Sequence, residues 1–203
     1  MRAHGQVGPV RTSRPASTSS TDRQRKPPRG FPAVLPLLGG STVGAAGGST
    51  FVLANASALG PPWPAPVLGV WGVLALGWLA ATFLRRHEPA LAPPRRHAFV
   101  VYAMSVVAML VLIRLATTAL GDLGAEHLRP AAIAAAVGLH FLPFAWAFPA
   151  ASRLFGVLGV IVAALGGAGL VLGLLGASTA GAAAAVLAGM TMLALITLHN
   201  LRH

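Results

Sequence analysis

Two ionisable side chains, Arg114 and His140, stand inside apolar runs of this sequence, and any chemistry in the membrane starts from them. Charged or titratable groups are costly in hydrocarbon and mark ligand, ion or proton sites by default. Arg114 falls about seven residues before the outer end of its run, roughly 10 Å deep at the helical rise of about 1.5 Å per residue. His140 falls about ten residues into the next run, roughly 15 Å deep and near the midplane. The two runs are joined by a short loop that carries Asp122, Glu126, His127 and Arg129. Asp122 and Glu126 are two of only four acidic residues, which makes them the expected partners of Arg114. Thr117 and Thr118 follow Arg114 on its own helix face. Asn55, near the outer end of the first run, completes a candidate outer-half polar layer of Arg114, His140, Asp122, Glu126 and Asn55. Such a layer could bind an anionic group or a lipid head, or take part in proton transfer at His140. The structural alternative is an arginine that snorkels to the interface and a neutral imidazole that makes one interhelical hydrogen bond.

Three residues after His140 comes Pro143. Proline cannot donate to the carbonyl of Leu139, so a kink and a free carbonyl are expected beside the histidine. The string Gly138-Leu139-His140-Phe141-Leu142-Pro143 resembles a motif of small bacterial membrane proteins of about six spans that have no established activity. The resemblance covers one helix and the general topology. It implies a family type and no mechanism.

Other membrane chemistries lack their residues. There is no Gly-x-Ser-Gly nucleophile turn and no His-Glu-x-x-His. A zinc hydrolase takes three protein ligands, and His140 is the one histidine expected deep in the membrane. His199 is expected at the inner surface, where it cannot form an axial haem pair with His140. His87, His97 and His203 flank the spans on that same side. No Asp or Glu falls within a span, as proton-driven pumps commonly require. The reading assigns no metal, no cofactor and no catalytic residue. There is no cysteine, so disulfides and thiol chemistry are excluded.

The elements that must position these residues are six apolar segments, about 33–58, 66–84, 98–120, 130–148, 154–175 and 179–199. Each can cross a hydrocarbon core that takes about 20 helical residues, because a helix satisfies its own backbone polar groups. Hydrophobic residues make up 55% of the 203-residue chain and charged residues 9%. That is far below the roughly 25% charge of a soluble domain. The net charge of +11 lies in flanks and loops beside apolar spans, which argues against nucleic acid as the partner.

Thirteen of the fifteen Lys and Arg residues fall in the N-terminal flank, the 85–97 loop, the connection at Arg153 and the C-terminus. The opposite loops hold only Arg129. The positive-inside rule then places both termini in the cytoplasm. Residues 1–30 are rich in Arg, Ser, Thr, Pro and Gly and are expected to be a disordered basic tail. The first apolar run begins too late and runs too long for a secretory signal.

Gly40, Gly44 and Gly48 recur every four residues in the first span and form a flat stripe for close helix packing. The fifth span carries Gly156, Gly159, Gly166, Gly167, Gly169 and Gly173, and the sixth a run of alanines at 182–185. Both read as interior helices, antiparallel across the tight turn at 176–179. Trp63 and Trp146 fit the interfacial belt, while Trp71 and Trp78 read as packing residues. Three spans on each side of the 121–129 loop would suit an inverted repeat, but the halves share no residue pattern.

The expectation is an all-α bundle of six transmembrane helices in the cell membrane, with domain limits 1–30 and 31–203. Its contacts would be membrane lipids and a membrane-protein partner or a second copy. Small-molecule transport and lipid or partner contact are the leading functions. A lipid-modifying enzyme using His140 and Arg114, or a structural subunit of a membrane complex, are the alternatives.

Overall fold

A computed structural model describes residues 34–84 and 94–202, with side chains from residue 40 onward. The basic tail at 1–30, and Arg85, Arg86 and His87 of the second loop, lie outside the described residues. Six long helices follow one another: α1 Val34–Asn55, α2 Pro64–Leu84, α3 Ala98–Asp122, α4 Arg129–Ala147, α5 Ser152–Leu174 and α6 Ala180–Arg202. Single 3-10 turns at Ala56–Leu59, Glu126–Leu128 and Pro149–Ala151 shape three of the connections. No strand occurs among the described residues. Every helix boundary lies within three residues of the apolar limits read from the sequence.

Five of the helices, α2 to α6, are long and apolar enough to cross a membrane. α1, a helix of 22 residues, packs against α6.

α6 is the hub. It packs against α1, α2, α4 and α5, and more of its length is buried than that of any other helix. The reason lies in its small side chains: Gly181, Ala182, Ala184, Ala185, Ala188 and Gly189 are all buried. Without a hydrophobic drive between helices in lipid, close backbone approach and dispersion hold such contacts. Gly48 of α1 and Gly189 of α6 face one another so closely that a Cβ on either would strike the other's carbonyl oxygen.

The tightest pair is α4 with α5. A Cβ on Gly138 would overlap the backbone of Ala163, and one on Gly166 would overlap the backbone of Ala135. Pro143 lies inside α4, which nevertheless continues unbroken to Ala147. α3 packs chiefly on α4, and α2 chiefly on α6. α2 and α3 therefore form opposite flanks, both dressed with exposed large apolar side chains such as Leu76, Phe83, Leu110 and Leu115. Such surface suits acyl chains, not water.

The glycine stripe of α1 is used unevenly. Gly44 meets the Ile196 side chain and Gly48 the α6 backbone, but nothing lies within 4 Å of a Cβ on Gly40. The packing surface is the C-terminal two-thirds of the predicted stripe.

Candidate functional site

The residues expected to form one polar layer do not meet. Two hydrogen bonds fix how α3 and α4 lie along one another. The Ser105 hydroxyl donates to the His140 carbonyl at 2.7 Å, and Arg129 Nε donates to the Thr117 carbonyl at 3.3 Å. Position 105 is thus level with 140, and 117 with 129. Arg114 sits nine residues along α3 from the His140 level, a separation of roughly 13 Å at the helical rise. The expectation of a shared depth is corrected by this register, which loop length alone does not reveal.

The acidic partner is also different. Glu126 Oε1 accepts from Arg129 at 2.8 Å, the one ion pair among the described residues. Arg114 is exposed on α3, and Asp122 is exposed at the end of that helix. Asn55 turns back on its own helix and donates to the Phe51 carbonyl at 2.8 Å. Thr117 likewise donates to Ile113 and Arg114 carbonyls of its own helix. Asn55, Thr117, Glu126 and Arg129 are thus satisfied close to home. That is the cheapest arrangement for isolated polar residues in an apolar helix.

The polar residues that do converge lie at the other end of the bundle. Trp78 Nε1 donates to Ser41 Oγ at 3.0 Å, and Asn200 Nδ2 donates to the same oxygen at 3.1 Å. Asn200 Nδ2 also lies 3.4 Å from Thr82 Oγ1, whose hydroxyl donates to the Trp78 carbonyl at 2.9 Å. Asn200 is 4% exposed and Ser41, Trp78 and Thr82 are half-buried, so this network ties α1, α2 and α6 together partly shielded from solvent. Trp78 is more than a packing residue: it carries one of the links. The sequence holds a faint signal of this, since Ser41, Thr82 and Asn200 all stand near the cytoplasmic ends expected for their helices. Nothing in the sequence says that three helices so far apart in the chain meet there.

Beside the network a lateral groove of about 360 Å³ runs between α1, α2 and α6. Thr42, Ala45 and Ser49 form one wall, Leu76, Trp78 and Leu79 the other. The lining is almost all carbon, with the Thr42 and Ser49 residues the polar exceptions. A second hollow against α4 and α5, lined by Leu142, Gly156, Val157, Val160 and Ile161, is wholly apolar.

His140 belongs to a third region, an aromatic cluster where α3, α4 and α5 meet. Its ring lies 4.2 Å from that of Phe141 and 5.2 Å from that of Phe144. Tyr102 stacks on Phe144 at 5.3 Å, and Phe155 closes edge-on at 5.5 Å. Its Nδ1 bonds to the Val137 carbonyl. A carbonyl can only accept, so Nδ1 carries the proton of the neutral ring and Nε2 keeps its lone pair. At the membrane edge, the Arg95 guanidinium lies 4.7 Å above the Trp146 ring, and the Arg95 amide donates to the Ala147 carbonyl. Both contacts fit Trp146 as an interfacial anchor. No group of three or more metal-binding side chains occurs among the described residues. No protein family, curated protein or solved structure matches this chain.

Proposed function

We propose that this chain is a six-span protein of the cell membrane, both termini in the cytoplasm, that works by holding a lipid and not by catalysis. The carrying observation is the groove between α1, α2 and α6, which opens sideways and ends at the Ser41–Trp78–Asn200 network. An opening on the side of a bundle, flanked by the exposed apolar face of α2, meets acyl chains first. Its carbon lining suits one such chain. The hydroxyl-bearing residues Thr42 and Ser49 give the only polar footing for ester or head-group oxygens. α1 crosses in this reading because α6 covers its glycine face, which lipid would serve poorly.

The basic residues of the cytoplasmic loops then lie at the level of anionic lipid heads, where each adds about 1 kcal/mol of attraction. A lipid-modifying enzyme built on Arg114 and His140 gains no support, because the two residues stand on different levels. The resemblance of the His140 string to small six-span bacterial proteins agrees in type with this reading and adds no activity.

Native mass spectrometry of the protein purified in mild detergent tests the proposal. A phospholipid should remain bound to the wild type, and Ser49→Trp, which fills the groove, should release it. Equal retention by the variant at unchanged thermal stability would overturn the assignment to this groove.

A further inference from the structure

We propose that His140 is the hydrogen-bond acceptor of a binding site for a membrane-dissolved hydroquinone, the ligand's hydroxyl donating to Nε2. The histidine is held among aromatic rings within the spans, and only half of its hydrogen-bonding capacity is used. Nδ1 is committed to the Val137 carbonyl, and Nε2 has no partner among the described residues. His140 is half-buried, so part of its ring is accessible from outside the bundle.

Its direction follows from its neighbours on α4. Val137 and Phe141 pack toward the core around Met192 and Ile196 of α6. On the other side, Ser105 and Tyr102 of α3 hold the His140 carbonyl and the Phe144 ring. His140 therefore lies on the face of α4 between α3 and α6. Among the described residues, α2 and α3 do not pack on one another across that face.

Three properties choose the occupant. A lone-pair acceptor needs a hydroxyl or N–H donor, which excludes a quinone carbonyl or an ester. The Ser105 contact puts the site more than a full turn in from either end of α3, and α4 runs a further seven residues to Ala147. A glycerol hydroxyl stays with interfacial water, whereas a hydroquinone head dissolves at that depth. Finally, the part-buried Phe141 and the half-exposed Tyr102 offer ring surface to a flat aromatic head, in the offset or edge-on geometries that such pairs prefer, above the buried Phe144. The inference rests on the membrane assignment and is independent of the lipid groove on the far side of α6.

The test is equilibrium binding of radiolabelled decylhydroquinone, kept reduced, to the full chain in nanodiscs, corrected for empty nanodiscs. The wild type should bind saturably, with one ligand per chain. His140→Leu should weaken binding at least tenfold. His140→Gln, whose amide oxygen can still accept, should keep part of it. Arg114→Leu, on another level of α3, should bind as the wild type does. The dimethyl ether of the ligand, with no hydroxyl to donate, should not compete. Absence of saturable binding, equal binding by both His140 variants and wild type, or equal competition by the ether would each overturn the proposal. Equal competition by dioleoylglycerol would overturn it in favour of a glycerolipid site. Incorporation and melting of each variant, followed on the same nanodiscs, separate loss of ligand from loss of fold.

Discussion

At the scale of single residues, most hydroxyl and amide side chains within the helices bond to a carbonyl of their own helix. Thr50, Asn55, Thr82, Thr117 and Thr197 all return to the carbonyl four residues back. Ser41, Trp78, Ser105, Arg129 and Asn200 are among the departures, since they bond across helices. Interhelical hydrogen bonds in membranes are modest, on average about 0.6 kcal/mol and up to about 1.7. The Asn200 network shares donors among three helices, so its members should couple. In a double-mutant cycle, Ser41→Ala and Asn200→Ala should interact by roughly 0.5–1.5 kcal/mol. Each alone should lower the melting temperature in detergent. Strict additivity of the two losses would show that the contact carries no energy of its own.

At the scale of helices, glycine decides which pairs approach, and the outcome of adding a methyl depends on what it meets. A Cβ at Gly138 overlaps backbone, which cannot move without separating α4 from α5. At Gly48 it falls 2.8 Å from the Gly189 carbonyl, again backbone. At Gly44 it falls 2.6 Å from Ile196 Cδ1, the far end of a flexible side chain that can rotate away. At Gly40 it meets open space. Alanine substitutions should therefore rank Gly138 worst, then Gly48, then Gly44. Overpacking should cost about 1–3 kcal/mol at the first two. Gly40→Ala should be neutral or slightly stabilising, since alanine favours helix by up to about 1 kcal/mol. Folded yield and thermal melts of the four variants give the order directly. A Gly40 variant as damaging as Gly48 would mean that another surface covers the start of α1.

At the scale of the whole molecule, the bundle is a chain of packed pairs arranged around α6, with α2 and α3 as separate flanks. Its threading through the bilayer is a prediction of charge. Reporter tags before residue 1 and after residue 203 should both be accessible from the cytoplasm. A tag between Gly121 and Arg129 should be accessible only from outside. Termini labelled from opposite faces would overturn the six-span count.

The sequence by itself determined the helices and where they end, because apolar length and helix-breaking loops are local properties. It also carried the signals of close packing: Gly44 and Gly48 do meet α6, and Gly159 and Gly166 of α5 do meet α4. The level at which one helix meets the next was decided only by tertiary structure. Arg114 and His140 looked like neighbours because a short loop joins their helices, yet the Ser105 and Arg129 contacts set them roughly 13 Å apart along the bundle axis. Glu126 chose Arg129, three residues away, over Arg114, because a pair within one turn needs no helix to shift. The network of Ser41, Trp78, Thr82 and Asn200 could not be foreseen. It joins the first helix to the last, and only the gathering of α1, α2 and α6 around small side chains brings those residues within bonding distance.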